Sequence, residues 1–386
     1  MKARILTLTL ALCGFAIAGS ACGNAVDLFG SGHHAKPPDT PPPTWNPDFG
    51  PDKYFYYWHI GTDQAGKQTG RIWREKIDLS GTPEEFWKGS PPNYKCVGCH
   101  SISKDGHFMN VVELSSRLSI DFSVHTVDLT QSPPQEVIIG TAAHPGASPA
   151  PTPPAGSFSS WRPAFNGTSD RFVFGTGNGG LQIASVTSGV LMTLVPVTGD
   201  GYQPTMPSWG PDDRIYYAAS RYGDSRIVLY EESEIWSVKA DGTDKQLVYK
   251  DPNGKMAYFP EVSPDGKWLA MTISPGGFDD QNQPQTTFSN VHARVMLLNL
   301  ENGELVTPDD LDAVTNQGRS WATWSALGNR LTCGTAVPEV DTNGQHTFDS
   351  DVYEVSFDST TGIDFDAHRI DQISTTEFEH IPRWSP

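Results

Sequence analysis

The stretch Tyr258-Phe259-Pro260-Glu261-Val262-Ser263-Pro264-Asp265-Gly266-Lys267-Trp268-Leu269-Ala270-Met271 decides the fold of this 386-residue chain. A short apolar strand runs into Ser-Pro-Asp-Gly, and a second apolar strand follows. Proline presets the turn dihedral, aspartate caps the turn and glycine accepts the positive φ that closes it. The unit is a β-hairpin whose two arms alternate with period two.

Working outward, the same unit recurs in weaker form. Trp161-Arg162-Pro163-Ala164-Phe165-Asn166 leads to Arg171-Phe172-Val173-Phe174, and Met206-Pro207-Ser208-Trp209-Gly210-Pro211-Asp212-Asp213 leads to Arg214-Ile215-Tyr216-Tyr217. Trp321-Ala322-Thr323-Trp324-Ser325 leads to Asn329-Arg330-Leu331. A second kind of hairpin repeats as well. Glu234 to Thr243 matches Arg71 to Thr82, and Val295 to Leu300 precedes the turn Asn302-Gly303. Helical periodicity is nearly absent. Short strands, turn signals and a repeat of roughly 45–60 residues predict an all-β propeller with one four-stranded antiparallel sheet per blade.

The Ser263-Pro264-Asp265-Gly266-Lys267-Trp268-Leu269-Ala270 turn resembles the TolB-like (WD40-like) propeller repeats, and the resemblance spans nearly all of the chain after residue 45. In Ser208-Trp209-Gly210-Pro211-Asp212-Asp213 an aspartate replaces the glycine, and Ser325-Ala326-Leu327-Gly328 lacks the proline and aspartate. The chain stops at His380-Ile381-Pro382-Arg383-Trp384-Ser385-Pro386, partway through the turn signal, and Gly50-Pro51-Asp52-Lys53-Tyr54-Phe55 reads as its remainder. The last strand is therefore expected to complete the first blade, which removes an exposed sheet edge. With that composite blade the turns near Ser103, Asn166, Gly210, Ser263 and Ser325 predict six blades, or seven if Trp45 to Phe49 forms an inner strand. A propeller domain is assigned to 46–386, with the proline-rich stretch His144 to Gly156 as a surface loop inside it.

The first 21 residues read as an export signal: Lys2 and Arg4, an apolar run from Ile5 to Ala18, then Gly19-Ser20-Ala21 before Cys22. The run is too short to span a bilayer. Small residues followed by cysteine resemble the lipobox of bacterial lipoproteins, which implies lipidation of Cys22, although Gly19 stands where leucine is usual. The alternative is ordinary cleavage with a free Cys22. Residues 22–45, with Pro37-Pro38 and Pro41-Pro42-Pro43, form a polar tether without a core. The expected address is exported, as a periplasmic, outer-membrane or cell-surface lipoprotein of a bacterium, touching a membrane only through the anchor at Cys22.

Cys96-Val97-Gly98-Cys99-His100 is the c-type haem attachment pattern. Two thiols at this spacing add to the two haem vinyl groups, and the adjacent imidazole becomes the proximal iron ligand. The pattern predicts one covalent haem c held by Cys96, Cys99 and His100. The alternatives are a Cys96–Cys99 disulfide, half of a zinc site, or a chance match. Zinc is disfavoured because no second CxxC or HxxxH pair completes four ligands. Of the 5 cysteines, Cys13 lies in the signal, and Cys333 sits in an apolar strand-like run and reads as a core residue.

Aligning Ser103-Lys104-Asp105-Gly106 with Ser263-Pro264-Asp265-Gly266 puts His100 level with Pro260, where an innermost strand begins at one mouth of the channel. The motif is thus grafted onto a blade and not carried by a helical cytochrome domain. Met206 and His380 fall at matching positions on other blades and are the candidates for a sixth iron ligand, with His59, His107 and Met109 as weaker ones. Trp58, Tyr94 and Trp161 are available to pack on a macrocycle. A formal net charge of -18 disfavours nucleic acid and anionic membranes as partners. It suits a redox partner or another envelope protein. No phosphate loop, dinucleotide fingerprint or Gly-x-Ser-x-Gly elbow occurs, and Glu231-Glu232, Asp279-Asp280 and Asp309-Asp310 lack calcium-loop spacing. Three functions are weighed: electron transfer through the haem, a non-haem interaction scaffold with a Cys96–Cys99 disulfide, and a haem enzyme with an open iron position.

Overall fold

The computed structural model describes residues 52–62, 68–78, 80–89, 97–116, 119–137, 163–175, 180–196, 202–222, 230–275, 292–307, 318–340, 346–349, 352–358, 363–369 and 378–385. The signal at 1–21, the tether, Trp45 to Phe49, Cys22, Cys96, Tyr94, Trp161, the His144–Gly156 loop, Asp279-Asp280 and Asp309-Asp310 lie outside them. Among the described residues no helix is long and apolar enough to cross a membrane.

Among the described residues the strands fall into six sheets in chain order. The first holds β1 (Tyr54–Thr62), β2 (Gln68–Lys76) and β3 (Glu84–Trp87), and the second β4 (Val97–Ile102), β5 (Phe108–Ser116), β6 (Ser119–Asp128) and β7 (Gln135–Val137). The third holds β8 (Ala164–Phe165), β9 (Arg171–Gly175), β10 (Leu181–Ser185) and β11 (Gly189–Val195). The fourth holds β12 (Tyr202–Trp209), β13 (Arg214–Tyr222), β14 (Tyr230–Lys239) and β15 (Gln246–Tyr249). The fifth holds β16 (Met256–Val262), β17 (Trp268–Ser274), β18 (Arg294–Asn299) and β19 (Leu305–Val306). The sixth holds β20 (Gly318–Trp324), β21 (Arg330–Val340), β23 (Val352–Asp358) and β24 (Ile363–Arg369), with β22 (His346–Asp349) on an extension of β21. The last strand, β25 (Phe378–Ser385), returns to pair with β1 from Tyr54↔Ser385 to Ile60↔Phe378. Each sheet packs on the next, and β20 and β21 of the sixth pack on β25 of the first, so the ring closes. This is an all-β propeller of four-stranded antiparallel blades.

Local chemistry explains the turns. At Ser263 the hydroxyl donates to Asp265 at 2.6 Å and accepts the Trp268 amide at 2.9 Å, while Gly266 takes φ 75°. Ser103, Asp105 and Phe108 repeat these bonds. Where the glycine is missing, Ser169 and Asp213 adopt the same left-handed conformation, at φ 61° and 57°. Short polar side chains tolerate that region better than bulky ones.

The inner strands share a less expected feature. Thr205/Ser208, Tyr258/Glu261 and Ser320/Thr323 bracket β-bulges, and Met206, Phe259 and Trp321 inside them hold φ 52°, 51° and 59°. Bulky residues in this region are strained by about 1–3 kcal/mol each. Burial offsets it: all three are fully buried in the largest apolar cluster, and the Phe259 and Trp321 rings meet at 3.9 Å between centroids. Cys333 is buried as expected, and burial pushes its thiol up to about 11.

Candidate functional site

β4 carries the haem-type motif on an innermost strand, bulged between Val97 and His100. Of the two thiols, Cys99 lies in β4 and Cys96 precedes the described part. His100 has 0% exposure, and neither ring nitrogen makes a hydrogen bond of normal geometry among the described residues, the Tyr56 backbone offering only a weak one. Burial holds the imidazole well below its usual pKa, and the nearby Arg383 cation adds to that; the Tyr56 backbone acts the other way. Buried polar atoms are normally paired, and a neutral imidazole is a common metal ligand. This ring therefore fits an axial iron role by donor type. Arg383, buried on β25, donates its Nε–H to the His100 carbonyl at 3.2 Å, 283 residues away in sequence.

Among the other candidates, Met206 is fully buried in the apolar cluster of the inner strands, and His380 lies on β25 opposite Trp58. Met109 is a core residue, and exposed His107 pairs with Asp105 at 3.2 Å. The His59 ring sits 4.9 Å from that of Trp73. Trp58 is buried in the same cluster as Met206. Glu232 accepts a bond from the Tyr202 hydroxyl. No group of three or more His, Cys, Asp or Glu side chains gathers among the described residues.

The structure adds a site that residue types did not announce. A cavity of about 320 Å³ opens at the Ser-Pro-Asp-Gly end of the channel, the opposite end of β4 from the one the motif enters. Its wall includes Ser101, Ala164, Ser208, Glu261, Thr323 and Arg383. Each stands two residues before the one that opens its blade's turn, and they pair with Asn110, Val173, Tyr216, Ala270, Thr332 and Tyr56. The repeat alignment gave these six one register, but only the closed ring turns a shared register into a shared cavity. His100 is not part of that wall.

Asp52 lies at this cavity too and bridges the closure. Its Oδ2 accepts the Ala326 amide at 2.8 Å, joining the first sheet's lead-in to the sixth sheet's turn. Burial pushes its carboxyl up to about 6, although the Ala326 bond and the Lys104 charge act the other way. An unfolded chain releases this proton near 3.8. The native state thus holds more protons between these values, so Asp52's contribution is full below pH 4, falls as pH rises to 6, and is level above. Asp52→Asn is expected to remove this slope and to be more stable than the parent at pH 7.5 by up to about 3 kcal/mol, with no advantage at pH 4. Urea midpoints at both pH values measure it, and equal midpoints at pH 7.5 would refute it.

Fold and site define a β-propeller with a CxxCH motif on one inner strand and a polar cavity at the turn end of that strand. No known family pattern matches the chain, and no curated protein matches it. Solved structures share the architecture at low identity. "Putative TolB from Agrobacterium tumefaciens" is 17% identical over 67% of this chain and 89% of its own, with TM-score 0.44. An oligogalacturonate lyase in complex with manganese is 12% identical over 83% of this chain and 85% of its own, with TM-score 0.43. The Niastella koreensis GH74 enzyme is 15% identical over 83% and 46%, with TM-score 0.47. The fold assignment rests on the strand pairing alone.

Proposed function

We propose that this protein is an exported, lipid-tethered propeller of six TolB-like blades that carries one covalent c-type haem and transfers electrons to a redox partner in the bacterial envelope. The observation that carries this reading is His100, a fully buried imidazole without a hydrogen bond of normal geometry, placed directly after the Cys96-x-x-Cys99 spacing. Cys96 and Cys99 hold the macrocycle, His100 is the axial donor, and Arg383 fixes the backbone of His100. Haem, when bound, supplies a one-electron iron couple. Met206 and His380, on other inner strands, are the candidates for the sixth position. Cys22 carries the lipid, so the propeller sits on the periplasmic or outer surface.

The test is a pyridine haemochrome spectrum of protein exported together with a cytochrome c maturation system. A c-type α-band is expected, lost in Cys96→Ser/Cys99→Ser and surviving with altered spin state in His100→Ala. A folded preparation without the band, in which Cys96 and Cys99 resist thiol reagents until reduced, would instead establish the disulfide-bonded scaffold.

A further inference from the structure

The first sheet meets the CxxCH histidine with two residues at once. Arg383 on β25 and Tyr56 on β1 are paired across the ring closure, and both approach His100 of the second sheet. Arg383 Nε donates to the His100 carbonyl at 3.2 Å, while the Tyr56 backbone lies against the ring. Arg383 is 5% exposed and His100 0%. A guanidinium keeps its charge at any pH the fold survives. A fixed positive charge is therefore buried beside this imidazole. Its field reaches the ring as well as the backbone, and no carboxylate acts on that ring among the described residues. The blade repeat does not call for it: Ser101, Ala164, Ser208 and Thr323 hold the same register on other inner strands without a charge, and Glu261 holds it with the opposite one.

We propose that Arg383 is a positioning residue that acts through His100, its buried charge raising the reduction potential of the iron that His100 ligates. The inference rests on the haem reading above and adds to it the element that tunes the couple. Oxidised iron carries one positive charge more than reduced iron, and the single electron comes from the envelope redox partner or, in vitro, from a chemical mediator. A fixed cation nearby disfavours the oxidised form more than the reduced one. By drawing electron density from the imidazole through its bonded backbone, it weakens donation to iron in the same direction. Partners of an axial ligand and the burial around it are levers of this kind, and a charge withdrawn from water acts further and is screened little by salt.

The test is a mediated redox titration at pH 7.5, followed at the c-type α-band, of haem-loaded wild type, Arg383→Gln and Arg383→Lys. Arg383→Gln keeps an N–H donor for the His100 carbonyl and loses the charge; its potential is expected to fall by about 59 mV or more, a tenfold change in a one-electron equilibrium. Arg383→Lys keeps the charge and is expected to stay near wild type, and the gap between the two variants should persist in 1 M salt. If Arg383→Gln does not fold, Arg383→Met against Arg383→Lys makes the same comparison. A haem-loaded neutral variant with the wild-type potential, or a lysine variant that falls as far as the neutral one, overturns this inference and leaves the haem reading standing. A folded wild type without the α-band overturns both.

Discussion

A chain ending at Glu377, lacking β25, is expected to lose its cooperative unfolding transition. β25 pairs with β1 along one edge, packs on β4 of the second sheet and on β20 and β21 of the sixth, and supplies the Arg383 bond to His100. Its removal leaves β1 as a bare edge, with unpaired amides and carbonyls facing the gap. Two blade interfaces also lose their innermost contacts. A domain's entire stability is about 5–15 kcal/mol, and losing a buried strand with contacts on three sides is of that order. Calorimetry should show a broad, weak transition in place of a sharp one, with dye binding to exposed apolar surface. A synthetic peptide covering 372–386, added in trans, should restore part of the transition. A truncated chain that melts sharply within a few degrees of the parent would mean the ring does not depend on this closure.

The second large effect is expected at the Arg330–Glu354 pair on β21 and β23. The two side chains are 4% and 0% exposed and bond directly. Glu354→Leu leaves the guanidinium buried without its carboxylate, which costs about 3–5 kcal/mol. The double variant Arg330→Met/Glu354→Leu removes both charges and fills the space with apolar atoms, and such replacements are often neutral or stabilising. Urea midpoints should therefore fall sharply in the single variant and recover in the double one. If the double variant is no more stable than Glu354→Leu, the pair contributes more by attraction than its desolvation costs, and the argument fails.

Residues differ in how far their roles were legible. The turn at Ser263–Gly266 was legible because its bonds are local: Ser263, Asp265, Gly266 and Trp268 satisfy one another within six residues. The closing of β25 on β1 was legible because the two ends carry halves of one turn signal. The bulges at Met206, Phe259 and Trp321 were not, since a positive φ at a bulky residue contradicts local preference and is held only by packing. In the site, the Cys96-x-x-Cys99-His100 spacing was legible, and the haem it points to is a proposal. The burial of His100 and its link to Arg383 could not, because that contact joins strands 283 residues apart.

The sequence by itself therefore determined the all-β repeat, the shared register of the blades and the presence of a CxxCH motif on one inner strand, because period-two strands and turn chemistry act over a few residues. Only the tertiary structure decided that His100 is sealed in from water and that Ser101, Glu261 and Arg383 meet at one cavity. Those outcomes depend on the ring closing, which sets side chains from six separate sheets against a common axis and withdraws them from water.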